Sequence, residues 1–169
     1  MKAHYQMFAA YNQWANAALY DAASALTVEE FNTDTGAFFG SVCRTLNHLL
    51  VADRVWLHRF SGEGPQPTAL NELLHADFAG LHAARVAEDQ RIIGFVDGLT
   101  EERLSGTFSY SPLTKPDHIT QRLGSALAHV FNHQTHHRGQ CHAILTTLGK
   151  PSLTLDLVYF LRAEGKAWL

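Results

Sequence analysis

Apolar residues recur at helical spacing over residues 3 to 25 (Tyr5, Phe8, Ala9, Trp14, Ala15, Leu19, Ala22), broken by Asn12, Gln13 and Asp21, and predict a first long helix. Leu26-Thr27-Val28-Glu29-Glu30-Phe31 follows, with Thr27 and Glu30 at capping-box spacing and Leu26 and Phe31 placed for a hydrophobic staple, so a short helical turn is expected. A second long helix is predicted from about Ser41 to Phe60, ended by Ser61-Gly62-Glu63-Gly64-Pro65. A third falls within about Asn71 to Gly98, with Leu73, Leu74, Phe78, Leu81, Ala84, Ile92, Phe95 and Val96 on its apolar side. Leu99-Thr100-Glu101-Glu102-Arg103-Leu104 echoes the capped segment at 26 to 31 and hints at two related helical pairs. Thr107 to Ser111 alternates like a strand, and Pro112 and Pro116 forbid a continuous helix there, so an extended loop or small hairpin is expected. The fourth long helix begins between Asp117 and Gln121 and ends at Gly149 with Pro151 beyond, and a last short helix lies near Leu155 to Ala163. The expected fold is all-α, a four-helix bundle occupying residues 1–169 as one domain, with a short extra C-terminal helix.

Composition narrows the class. With 46% hydrophobic residues, 12 Gly, 5 Pro and no low-complexity run, the 169-residue chain is expected to be globular, with a core that needs no disulfide or structural metal. A net charge of −3 supplies no broad cationic surface, so nucleic acid is not an expected partner. Tyr5, Asn12, Gln13 and Trp14 interrupt the amino-terminal stretch where a signal peptide would be apolar, and no run reaches membrane-spanning length. A cytoplasmic protein without membrane attachment is the expectation, with Cys43 and Cys141 as thiols. The unusual feature is 11 histidines.

Their informative cluster is His129-Val130-Phe131-Asn132-His133-Gln134-Thr135-His136-His137-Arg138-Gly139-Gln140. At about 100° per residue, His133 and His137 project about 40° apart and can converge on one ion. The apolar stripe of this helix runs through Leu123, Ala126, Val130, Cys141, Ile144 and Leu148, with His137 inside it and His133 at its margin. His129 and His136 lie roughly 80° and 100° from His137 and are weaker candidates. A catalytic zinc-type site commonly takes three protein ligands, so a third must come from another helix. On helix two His48 is the candidate, with Asp53 and His58 as rivals. The main apolar stripe there (Val42, Leu49, Trp56, Phe60) lies about 100° from His48, and only the secondary stripe of Ala52 and Val55 favours it. The residues alone leave the choice open.

Other motifs fit less well. A zincin needs Glu after its first histidine, and Gln134 stands there. A di-iron bundle needs two Glu-x-x-His motifs, and only Glu72-Leu73-Leu74-His75 matches, reading better as a solvated turn. Cys141 reads as a small buried hydrophobe before a nucleophile. Asn47, Asn132, Gln134 and Gln140 are candidates to orient imidazoles, Arg138 reads as a surface ion-pair residue before an anion binder, and Gly139 as a site of close helix packing. Tyr5, Tyr11 and Trp14 read as core or pocket wall.

Tyr11-Asn12-Gln13-Trp14-Ala15-Asn16, Asn47-His48 with Trp56, and Asn132-His133-Gln134-Thr135-His136-His137-Arg138-Gly139-Gln140 together resemble the motifs of the DinB-like (DinB/YfiT) metal-binding four-helix bundles, over nearly the whole chain. The resemblance implies that His48, His133 and His137 are the metal ligands, with water or substrate completing the shell, and that the protein forms homodimers. Characterised relatives include thiol-dependent transferases and an isomerase. The family name reflects DNA-damage-inducible expression in some members and is no argument for DNA binding. Two functions are therefore expected. One is a metal-dependent transferase or hydrolase holding one divalent ion per chain, zinc or nickel, and acting on a small molecule such as a low-molecular-weight thiol. The other is a non-catalytic metal or small-ligand binding protein linked to stress. A pocket over the metal favours the first and a closed shell the second.

Overall fold

Four long helices carry the structure, a computed structural model that describes residues 1–115 and 117–169: α1 (Lys2–Ser24), α3 (Val42–Ser61), α4 (Phe78–Asp97) and α6 (Leu123–Thr147). Short helices α2 (Val28–Asn32) and α5 (Glu101–Ser105) follow α1 and α4, and α7 (Leu157–Arg162) with a final 3₁₀ turn (Lys166–Trp168) closes one side. Helix α1 packs on α4 and α6, and α3 packs on the same two, which closes a four-helix bundle. No helix among the described residues is long and apolar enough to cross a membrane.

Local chemistry accounts for most boundaries. Thr27 and Glu30 form the expected reciprocal capping box at α2, and Thr100 caps α5 by accepting from the Arg103 amide. Gly62 ends α3 with φ at 76°, a left-handed conformation in which a Cβ would be strained. Two expectations shift. The third long helix begins at Phe78, because the Asp77 side chain accepts from the Gly80 amide and starts the helix there. Residues 71 to 77 are not helical, and Leu73 is 47% exposed. The fourth begins at Leu123, because Ile119–Arg122 is spent as a strand. That strand, β2, pairs antiparallel with β1 (Thr107–Tyr110), Thr107 opposite Arg122 and Tyr110 opposite Ile119, so the expected hairpin is present. Pro116 lies outside the described residues.

The core is layered. One apolar cluster gathers Tyr5, Ala9, Leu57, Phe60, Ile92, Val96, Leu127 and Phe131. A second gathers Leu19, Tyr20, Leu46, Leu50, Leu81, Cys141 and Leu145. Every long helix carries buried polar residues between the two clusters: Asn12 and Asn16 on α1, Asp53 on α3, Arg85 and Asp89 on α4, Gln134 and Arg138 on α6. The order in which each helix meets the clusters makes α1 and α6 run one way and α3 and α4 the other.

Ion pairs and hydrogen bonds link this polar layer across the helices, while Arg85 Nε and Gln134 Oε1 are left without a partner. Arg85 meets Asp53 at 2.6 Å and Asp89 at 3.0 Å. Asn16 donates to Asp89 at 2.9 Å, and Arg138 donates to Asn12 and Asn16. Arg138, read from sequence as a surface residue, is therefore a core cation, 2% exposed, with its guanidinium over the Tyr11 ring. The Gly139 expectation also fails: no atom lies near where its Cβ would project. Gly124 is the close-approach glycine instead, since a Cβ there would sit 3.1 Å from the Leu104 carbonyl oxygen of α5.

Candidate metal centre

Helices α3 and α6 face each other across His48, His133 and His137, each of which offers one ring nitrogen within 4.8 Å of those of the other two. The wheel reading of α6 agrees with the burial: His137 is 9% exposed and His133 is half-buried. His48, equivocal by the wheel, is 7% exposed. The wheel was blunt there because α3 is buried around nearly its whole girth. Loop residue Phe39 stacks on the His48 ring at 4.1 Å, and Leu70 covers its edge.

Hydrogen bonds set which nitrogen each ring presents. His48 Nδ1 lies 3.0 Å from the Leu70 carbonyl oxygen, and His137 Nδ1 lies 2.7 Å from Gln140 Oε1. Both partners only accept, so each Nδ1 carries the proton and each Nε2 presents a lone pair. His48 Nε2 and His133 Nε2 stand 3.3 Å apart. Two nitrogens bound tetrahedrally at the usual zinc distance would be separated by roughly that amount, about 3.3 to 3.4 Å. The residues present therefore fit a divalent ion in donor type, tautomer and spacing.

Electrostatics agree. Burial, reinforced by the neighbouring imidazoles, pushes His133 down to about 3. Burial also lowers His48 and His137, partly opposed by the bond to Leu70 in one and to Gln140 in the other. All three are neutral at pH 7, the form that ligates. Proton competition should begin lower than a free imidazole's pKa of about 6.5 suggests. Metal affinity is expected to stay level from about pH 8 to about 6.5 and to fall only below that range. A decline already under way above about pH 7 in a chelator titration would show protonated imidazoles in the metal-free site.

The rival residues do not join the group. Asp53 is held by Arg85, and His58, ten residues beyond His48, projects about 80° away from it. His136 is exposed and meets Gln140 Nε2 through its own Nε2 at 3.3 Å. Of the residues considered as imidazole partners, only Gln140 acts so. Asn47 donates to the Cys43 and His75 carbonyls, Gln134 donates to the Leu49 carbonyl, and Asn132 is exposed. Cys141 is fully buried with its thiol pushed up to about 12, which leaves it a packing residue.

Beside the histidines lies a cavity of about 260 Å³ bordered by His48, His133, His129, Trp56, Arg59 and Tyr110. The sequence reading missed Arg59, Tyr110 and Phe39 as site residues, because the strand-like alternation at Thr107 to Ser111 and the loop holding Phe39 do not say which part of the bundle they pack against. A larger cavity, about 660 Å³, lies on the other side of α6 against Tyr5, Phe8, Tyr11 and Leu155. The triad does not border it.

The DinB family model matches residues 1–168. The chain belongs to the DinB family. It is also 26% identical to Protein DinB of Bacillus subtilis (strain 168) over 167 residues, covering 93% of this chain and 94% of that protein. The DinB-family motif residues divide between two tasks: Asn12, Asn16 and Arg138 build the polar layer, while His48, His133 and His137 build the group that could hold a metal.

Proposed function

We propose that this DinB-family protein holds one divalent metal ion through His48, His133 and His137 and uses it in a transfer or hydrolysis reaction on a small molecule, a low-molecular-weight thiol being the favoured co-substrate. The observation that carries this reading is the cavity beside the triad: His48 and His133 border open space rather than a closed shell. A divalent ion there would lower the pKa of water or of a thiol towards neutrality. The chain's own residues do the rest. Leu70 and Gln140 fix the imidazole tautomers, Phe39 covers one side of His48, and Trp56 and Tyr110 line the cavity. Burial, with Arg59 nearby, lowers His129, which leaves a neutral imidazole in the cavity able to accept a proton.

Imidazole donors suit zinc and nickel, which are the expected ions. Elemental analysis of protein purified without an affinity tag or added metal should find about one equivalent per chain. A screen of thiols with electrophiles would then separate an enzyme from the alternative reading, a metal or small-ligand binding protein linked to stress. Metal-loaded protein inert across such a screen would favour the latter.

The partner expectations follow as a further prediction. A homodimer is expected, and duplex DNA should not bind, since net charge −3 offers few phosphate contacts. Light scattering that finds only monomer overturns the first, and salt-sensitive micromolar DNA binding overturns the second.

A further inference from the structure

Arg59 is a cation without an anion. Its Cζ lies 4.7 Å from the centroid of Trp56 and 4.4 Å from that of Tyr110, so aromatic rings rather than carboxylates hold it. Among the described residues it makes no ion pair, whereas Arg54, Arg85 and Arg91 each meet a carboxylate. Burial lowers its pKa. A half-buried guanidinium kept without a counter-charge is costly unless something else supplies one.

Its place in the cavity says where that counter-charge would sit. Arg59 follows His48 by eleven residues, about 20° from whole turns, so both lie on one face of α3, roughly 16 Å apart along the axis. Long helical side chains lean towards the amino terminus, and the stacking of Arg59 on Trp56, three residues earlier, shows that lean. The guanidinium therefore reaches back over the same cavity that His48 and His133 border at the other end. The Trp56 and Tyr110 centroids are only 5.2 Å apart, so both rings lie to one side of the guanidinium; N–H groups on its other side remain for a ligand, and its planar fork matches the two oxygens of a carboxylate.

We propose that Arg59 anchors the carboxylate of an elongated small substrate whose reactive end lies at the histidine triad. The reactive-end assignment rests on the metal-centre reading, while the anchor rests on Arg59 and its cavity. Arg59 is the one Lys or Arg among the described residues that border the cavity, and a single guanidinium balances a single negative charge, which favours a monocarboxylate over a phosphate dianion.

The test compares two probes that differ only in the anchor group: mercaptohexanoate and mercaptohexanol, each with its sulfur at the far end of the chain. Binding to the cobalt-loaded protein is followed by the near-ultraviolet band that sulfur ligation produces. The acid should bind about tenfold more tightly than the alcohol, as one charge-assisted pair supplies. In Arg59→Gln that preference should vanish, while the cobalt spectrum without probe stays unchanged. Arg59→Lys, which keeps the charge and loses the planar fork, should retain part of it. A looser cavity alone would weaken acid and alcohol together and leave their ratio intact. Equal affinities in the parent protein, or a preference that survives in Arg59→Gln, overturns the proposal. If cobalt does not bind, the metal-centre reading falls, and the anchor is judged by the same criterion from hexanoate and hexanol titrations followed at the Trp56 indole N–H resonance.

Discussion

Replacing His137 with alanine is expected to weaken metal binding by more than about 100-fold, the upper end of what supporting residues around a metal cost when removed. His133→Ala and His48→Ala should fall in the same range, because a three-histidine site that loses one donor must fill the gap with water. The neighbour His136 provides the contrast. It is exposed and meets the site through a hydrogen bond to Gln140 and an edge contact with the His137 ring, without offering a nitrogen to the group, so His136→Ala should change affinity by no more than about twofold. Gln140→Ala should lie between, at about tenfold, since it frees the His137 ring to present the wrong nitrogen. A competition titration against a chelator measures all five variants. If His136→Ala strips the ion while His137→Ala retains it, the register of α6 is wrong. If His48→Ala leaves affinity unchanged, α3 does not supply the third ligand.

That series also marks how far the sequence carried. His133 and His137 were legible because a four-residue spacing and an apolar stripe are properties of one helix. His48 was not legible from α3 alone. A helix buried on nearly all sides has no polar face to orient a wheel, and what covers His48 comes from Phe39 and Leu70 in irregular segments. The family motif supplied it instead. Helix α4 falls inside the expected range, but Leu73 and Leu74 do not belong to its apolar side: they continue the spacing through residues that the Asp77 cap leaves outside the helix. The start of α6 was misplaced because pairing with β1 claims Ile119–Arg122, a tertiary demand invisible to local pattern. The polar layer had left a trace: Asn12 and Asn16, and Arg85 and Asp89, stand four residues apart on helical stripes otherwise apolar. Each pair alone looks like a solvated face, and only the assembled bundle shows that they meet.

The largest effect on stability is expected at Arg85. It is 2% exposed and lies between Asp53 and Asp89, themselves 2% and 4% exposed. Arg85→Ala would leave two buried carboxylates facing each other without their cation, a defect worth about 3–5 kcal/mol against a typical total stability of about 5–15. Arg54→Ala, which removes a more exposed partner of Glu88 while Arg91 remains, should cost under about 1 kcal/mol. The pH dependence separates a charge defect from a mere cavity. Burial already holds the Asp53 carboxyl up at about 6 even with Arg85 beside it, and losing the guanidinium pushes it higher still. A carboxyl whose folded pKa exceeds its unfolded value of about 3.9 takes up protons on folding, so its penalty shrinks as pH falls through the folded pKa. The deficit of Arg85→Ala relative to the parent should therefore be smaller at pH 5 than at pH 7.5, measured by urea unfolding of both proteins in chelator. Adding Asp53→Asn and Asp89→Asn to the alanine variant should recover much of the loss at pH 7.5, because the stranded charges go with their cation. A deficit below about 1 kcal/mol, or one that does not change with pH, would mean that the layer is held by packing and hydrogen bonds rather than by its charges.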